Sequence, residues 1–147
     1  MNHIGYLLAD NSRLARWSFD RKVSAVGVTG PQARLVLLIN REPGETQTYY
    51  AERLEVEPIT LCRMVDRLEE AGLVARRVCD NDRRARRIEL TPAGRGTLTE
   101  LRTRVDAVLE NMLDGLSPDE RDDLTRLLER VSENLSAERE SARANDE

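Results

Sequence analysis

A chain of 147 residues, 34% of them charged, is long enough for one domain with a real core, and with 3% aromatic content that core must rest on Leu, Val and Ala. It holds no apolar run long enough to span a bilayer and no basic segment leading into an apolar one, so it reads as soluble and cytoplasmic, with no membrane partner. Two cysteines, Cys62 and Cys79, make no disulfide framework, and a single histidine, His3, leaves no basis for histidine catalysis, a metal set or a cofactor.

The net charge of −4 argues against nucleic acid until its distribution is considered. Residues 60–95 carry nine Arg against six acids, whereas residues 96–147 carry seven Arg against fourteen acids. Screening limits distant charge to a reach of about 8 Å at physiological salt, so a locally basic surface attracts phosphate even on an acidic protein.

In chain order, residues 2–23 have a helical pattern, with Ile4, Leu7, Leu8, Leu14 and Ala15 on an apolar stripe. Gly27 and Gly30 break it. Thr29 is the predicted N-cap of a second helix with Pro31 just inside, and the dense run Ala33, Leu35, Val36, Leu37 and Ile39 places it at the buried centre. A loop at Arg41–Glu45 contains Pro43 and Gly44. Thr46 caps a third helix reaching Leu54, in which Tyr49 and Tyr50 are read first as buried aromatics, one of them being an alternative phosphate contact.

After a turn at Glu55-Val56-Glu57, Pro58 opens a fourth helix. Its apolar positions Leu61, Val65 and Leu68 line one face, Thr60, Arg63 and Arg67 recur on another, and Gly72 stops it. A helix with one buried stripe and a second of Thr and Arg fits a major groove, where Arg forks onto guanine and Thr meets a base edge or phosphate. An ordinary solvated amphipathic helix would show the same pattern. Two short β-permissive runs follow, Leu73–Cys79 and Arg86–Leu90, joined by the turn formers Asp80-Asn81-Asp82. Six arginines lie from Arg76 to Arg87: Arg76, Arg77, Arg83, Arg84, Arg86 and Arg87. Such a cluster calls for a polyanion unless surface salt bridges with Asp80, Asp82 and Glu89 absorb it.

Beyond the ribbon, Thr91 and Pro92 start a long helix to about Leu113, with a seam at Leu98, Leu101, Val105, Val108 and Met112. Ser117-Pro118-Asp119-Glu120 starts a last helix whose apolar face is Leu124, Leu127, Leu128, Val131 and Leu135. From Glu138 a polar, frayed tail is expected. An enzyme is not expected: Glu69 and Glu70 lie about 100° apart around a helix and cannot face one substrate, and no Ser/His/Asp set or glycine-rich phosphate loop is present. The fold class read from these elements is mainly α with a small β-hairpin wing, a winged helix-turn-helix flanked by terminal helices.

The run Asp82–Gly94, DRRARRIELTPAG, resembles the wing signature of MarR-family regulators, and the preceding MVDRLEEAGLVARRVCDNDRR is similar to its SlyA-like branch. The resemblance implies one MarR-like domain over 1–147, with dimerisation helices at 1–28 and 96–138, a winged helix-turn-helix lobe at 29–95 and a polar tail at 139–147. It implies a homodimeric repressor or counter-silencer on double-stranded DNA with a pseudo-palindromic operator. A DNA-organising protein that senses nothing is the alternative. By the same resemblance Arg84 enters the minor groove, oriented by Asp82, with Arg83, Arg86 and Arg87 on phosphates. It further implies release by a small aromatic effector, with Leu61, Cys62 and Trp17 as ligand candidates. Cys62 is read as a small core residue before a redox switch, because the peroxide-sensing members carry a cysteine near the start of the first helix and this chain has none there.

Overall fold

The structure is a computed structural model describing residues 3–82 and 85–146, so Arg83 and Arg84 lie outside the described residues. It comprises α1 (Ile4–Val23), a 3₁₀ turn (Ser24–Val26), α2 (Gly30–Arg41), α3 (Gln47–Leu54), α4 (Pro58–Glu70), β1 (Val74–Val78), β2 (Arg86–Leu90), α5 (Pro92–Met112) and α6 (Pro118–Asn145). Contacts divide it into two units, Met1–Leu109 and Glu110–Glu147.

In the first unit, side-chain caps set the helix starts. Thr29 accepts from the Gln32 amide while the Gln32 side chain accepts from the Thr29 amide, a reciprocal capping box, and Thr46 accepts from the Tyr49 amide. Between α3 and α4 the chain turns through Glu55 at φ 55°, so a non-glycine residue takes a left-handed conformation to aim the second helix of the pair. The end of α4 is a Schellman motif. Gly72, at φ 75°, donates to the Glu69 carbonyl, and Leu73 donates to the Leu68 carbonyl.

The core joins Leu35, Val36 and Ile39 of α2, Tyr50 of α3, and Leu61, Val65 and Leu68 of α4 to Val74 and Ile88 of the ribbon. Tyr50 is wholly buried yet satisfied, its hydroxyl donating to the Glu42 carbonyl at 2.6 Å and accepting from the Glu45 amide at 3.2 Å. Leu98 and Leu101 belong to this same core, so the first half of the α5 seam is covered within the subunit, while Met112 is exposed.

β1 and β2 pair antiparallel, with Val74 opposite Leu90, Arg76 opposite Ile88 and Val78 opposite Arg86. The outer edge of β2 is extended by the segment entering α3. Ile88 donates its amide to the Glu45 carbonyl at 3.1 Å, Thr46 forms an antiparallel bridge with Arg87, and the Arg87 guanidinium donates to the Gly44 carbonyl at 2.5 Å. At the base of the ribbon Thr91 locks it to α5, its amide donating to Leu73 and its hydroxyl both donating to Gly72 and accepting from the Gly94 amide.

In the second unit, Ser117 and Glu120 form another capping box, and Arg121 donates to the Leu113 and Leu116 carbonyls. The expected frayed tail from Glu138 is corrected: α6 continues to Asn145. Ala, Glu and Arg dominate that stretch, no Gly or Pro interrupts it, and Arg143 complements the dipole in the last turn. Among the described residues no helix is long and apolar enough to cross a membrane.

Candidate DNA-binding interface

The burial of Leu61, Met64, Val65 and Leu68 orients α4 and leaves Ile59, Thr60, Arg63 and Arg67 exposed. Neither Arg63 nor Arg67 has a side-chain hydrogen bond or ion pair among the described residues. Two guanidiniums therefore stand on this face with their donors unused, the state required to meet phosphate or guanine. Ile59, 61% exposed, was not singled out by its sequence pattern. Its spacing of four residues from Arg63 was the available signal, and an exposed β-branched side chain there is suited to a thymine methyl.

The ribbon arginines divide in two. Strand alternation turns Arg76 inward on the Val74 side and Arg77 outward. Arg76, with a side chain 19% exposed, pairs with Asp66 at 2.6 Å and Glu69 at 3.1 Å on α4. Burial opposes its charge, but the Asp66 and Glu69 carboxylates outweigh that and raise its pKa further. Arg77 pairs with Glu89 at 3.2 Å. The cluster of six is thus corrected: Arg76 and Arg77 are consumed by ion pairs, because acids seven to twelve residues away in sequence lie beside them in the fold. Arg86 is exposed at the ribbon's outer end and donates to the Ala85 carbonyl, and Asp82, whose carbonyl accepts from the Ala85 amide, is exposed in the turn before it.

Tyr49 is only half-buried, and its hydroxyl donates to the Glu42 carboxylate at 2.6 Å, with Arg53 donating to the same carboxylate at 2.9 and 3.2 Å. The Tyr49 hydrogen bond first, and Arg53 second, hold Glu42 below the usual carboxylate range.

The ligand candidates lie on two helices, Leu61 and Cys62 on α4 and Trp17 on α1. Leu61 is wholly buried in the core, and Cys62 is half-buried with its carbonyl accepting from Arg76 at 3.2 Å. Trp17 is 59% exposed on α1 in a groove with Ala9, Ser12, Arg13, Arg16 and Asp20, and Arg21 stands over its ring at 5.1 Å. A cavity of about 260 Å³ lies between α1, α2 and the α3–α4 turn, lined by Arg16, Arg34 and Arg53 with Pro31, Val56 and Met64. Asp20 holds Arg34 and Glu42 holds Arg53, while Arg16 has no partner among the described residues. No group of three or more His, Cys, Asp or Glu among the described residues could hold a metal ion.

A helix pair presenting unpaired Thr and Arg, followed by a two-stranded ribbon braced against it, defines a winged helix-turn-helix DNA-binding protein. Residues 26–85 match the family model described as the MarR family. The fold is similar to transcriptional regulator PA3341 at 35% identity, covering 90% of this chain and 98% of that one with a TM-score of 0.76. It is similar to a MarR-family regulator from Silicibacter pomeroyi at 28% identity, covering 88% of each chain with a TM-score of 0.76. It is also similar to the repressor CouR, solved on a 23-mer DNA duplex, at 30% identity, covering 88% of this chain and 92% of that one with a TM-score of 0.73. The chain belongs to the MarR family of DNA-binding transcriptional regulators.

Proposed function

We propose that this protein is a homodimeric repressor or counter-silencer of the SlyA-like branch that reads a pseudo-palindromic operator and is released by a small aromatic carboxylate. The observation that carries the reading is the exposed α4 face, where Arg63 and Arg67 stand unpaired beside Thr60 and Ile59. In this reading Arg63 and Thr60 meet bases or phosphates in the major groove, Ile59 meets a thymine methyl, and Arg67 a phosphate. Asp82 orients Arg84 into the minor groove, and Arg83 and Arg86 neutralise flanking phosphates. CouR, which was solved on duplex DNA, supports the partner class.

Dimerisation is supported by exposed apolar side chains: Ile4, Leu7, Leu8 and Leu14 on α1, and Leu124, Leu127, Leu128, Val131 and Leu135 on α6. Water-exposed rows of this kind on helices are covered in a stable assembly. The effector reading is supported by the arginine-lined cavity, whose free Arg16 suits a carboxylate and whose Pro31, Val56 and Met64 suit an aromatic ring. Trp17 lines a neighbouring groove that shares Arg16 with this cavity.

The test is selection from a randomised duplex pool, followed by sedimentation of the protein with the selected DNA. The expected result is an enriched pseudo-palindrome with half-sites one turn apart, about 34 Å, and two protomers per duplex. Enrichment without a preferred sequence would instead favour the DNA-organising reading, whose specificity ratio falls well below about 10³.

A further inference from the structure

We propose that Arg76 is a positioning residue for DNA recognition: it clamps the wing, α3 and α4 into one reading surface and keeps Asp66 from Arg63, without touching DNA itself. The proposal rests on the reading of α4 as the recognition helix.

All three guanidinium nitrogens of Arg76 are occupied. Nε donates to Gln47 Oε1 at 3.4 Å, and Nη1 to Glu69 Oε1 at 3.1 Å. Nη2 serves Asp66 Oδ1 at 2.6 Å, the Cys62 carbonyl at 3.2 Å and Gln47 Oε1 at 3.3 Å. The Arg76 amide adds a bond to Glu69 Oε2 at 3.2 Å. One side chain on β1 therefore grips the first turn of α3 and three successive turns of α4. Only a planar fork with donors in fixed directions can do this, which excludes Lys as an equivalent.

The charge logic points the same way. Asp66 follows Arg63 by three residues, on neighbouring positions of the helix surface. Released from Arg76, Asp66 would compete with DNA for the Arg63 guanidinium. Paired with Arg76, Asp66 is neutralised and Arg63 is left free.

The experiment uses full-length protein, DNA selected by the protein itself from a randomised pool, and random duplex of equal length, titrated by fluorescence anisotropy over a range of salt. The variants are Arg76→Gln, Arg76→Lys and the pair Asp66→Ala with Glu69→Ala. Both acids are about half exposed, so the pair removes the grip from the solvent side with little burial lost. For a positioning residue, Arg76→Gln lowers affinity for selected DNA roughly tenfold, the loss expected when a bidentate base contact is misplaced, and random DNA changes much less. The salt slope is retained, Arg76→Lys does not restore the ratio, and the acid pair lowers the selected-to-random ratio as well. The proposal is overturned if Arg76→Gln weakens both DNAs equally and drops the slope by about one, the signature of a phosphate contact. It is equally overturned if the acid pair leaves the ratio unchanged. A pool that yields no preferred sequence sinks the regulator reading, and this proposal with it.

Discussion

Two glycines in the first turns of α5 respond in opposite directions to the same methyl group. A Cβ on Gly94 would overlap the Leu73 carbonyl oxygen and stand 3.0 Å from its carbonyl carbon, whereas nothing lies within 4 Å of a Cβ on Gly96. The Leu73 carbonyl cannot simply retreat, because it accepts from the Thr91 amide and the adjacent Gly72 carbonyl accepts from the Thr91 hydroxyl. Forcing a methyl into such a site costs about 1–3 kcal/mol. Losing one or two of the Thr91 hydrogen bonds costs about 0.5–1.5 kcal/mol each. Against these stands the gain of Ala over Gly in a helix, up to about 1 kcal/mol. Gly94→Ala should therefore destabilise by about 2–3 kcal/mol, while Gly96→Ala should stabilise by about 0.5–1 kcal/mol. Urea unfolding followed by circular dichroism at one fixed protein concentration measures both, since in the proposed dimer the midpoint depends on concentration. If Gly94→Ala unfolds at the parent midpoint, or if both variants shift together, the close approach of α5 to the Leu73 carbonyl is not what holds the ribbon.

Arg63→Ala should weaken binding to selected DNA by about 1–3 kcal/mol, and an equal loss on random duplex would reduce Arg63 to a phosphate contact. Asp82→Ala should weaken A·T-flanked DNA in the same direction as Arg84→Ala, against the usual gain from removing an acid near DNA; tighter binding would show that Asp82 merely repels. Benzoate should quench Trp17 emission, and Arg16→Ala should abolish the response; an unchanged response moves the effector site away from Arg16. Glu42 is held below its ordinary value, so the stabilisation it confers is present above an unfolded pKa of about 4.3 and is lost as pH falls through the lower folded value. The acid limb of unfolding should accordingly flatten in Glu42→Gln, and an identical pH profile for the two proteins would refute this role.

Local chemistry was legible in the sequence where one residue decides the backbone. Thr29, Thr46 and Ser117 cap the helices expected of them, Gly72 ends α4, and the Leu61, Val65 and Leu68 stripe sets its buried face. What could not be read was the destination of charges. Arg76 and Arg77 are neighbours in sequence, but a two-residue period sends them to opposite sides, one to Asp66 and Glu69 and the other to Glu89. A seam has the same ambiguity. Periodicity marks Leu98 and Leu101 as covered without saying by what, and they are covered by their own lobe. Cys62 and Leu61 are adjacent on a helix, so the rotation that commits Leu61 to the core leaves Cys62 half-buried at its flank, against Arg76.

A two-stranded ribbon alone is marginal in water. Here β2 has a further partner, because Thr46 serves two elements at once: its backbone bridges Arg87 of β2, and its side chain and carbonyl receive the Tyr49 and Tyr50 amides that open α3. Peeling β2 away from it therefore unwinds the first turn of a helix whose Tyr50 is anchored in the core, and fraying of that turn loosens the ribbon. The two share one opening free energy. In hydrogen-exchange terms the Ile88 amide should persist as long as those of Tyr49 and Tyr50, so β2 turns with α3 as a single rigid blade.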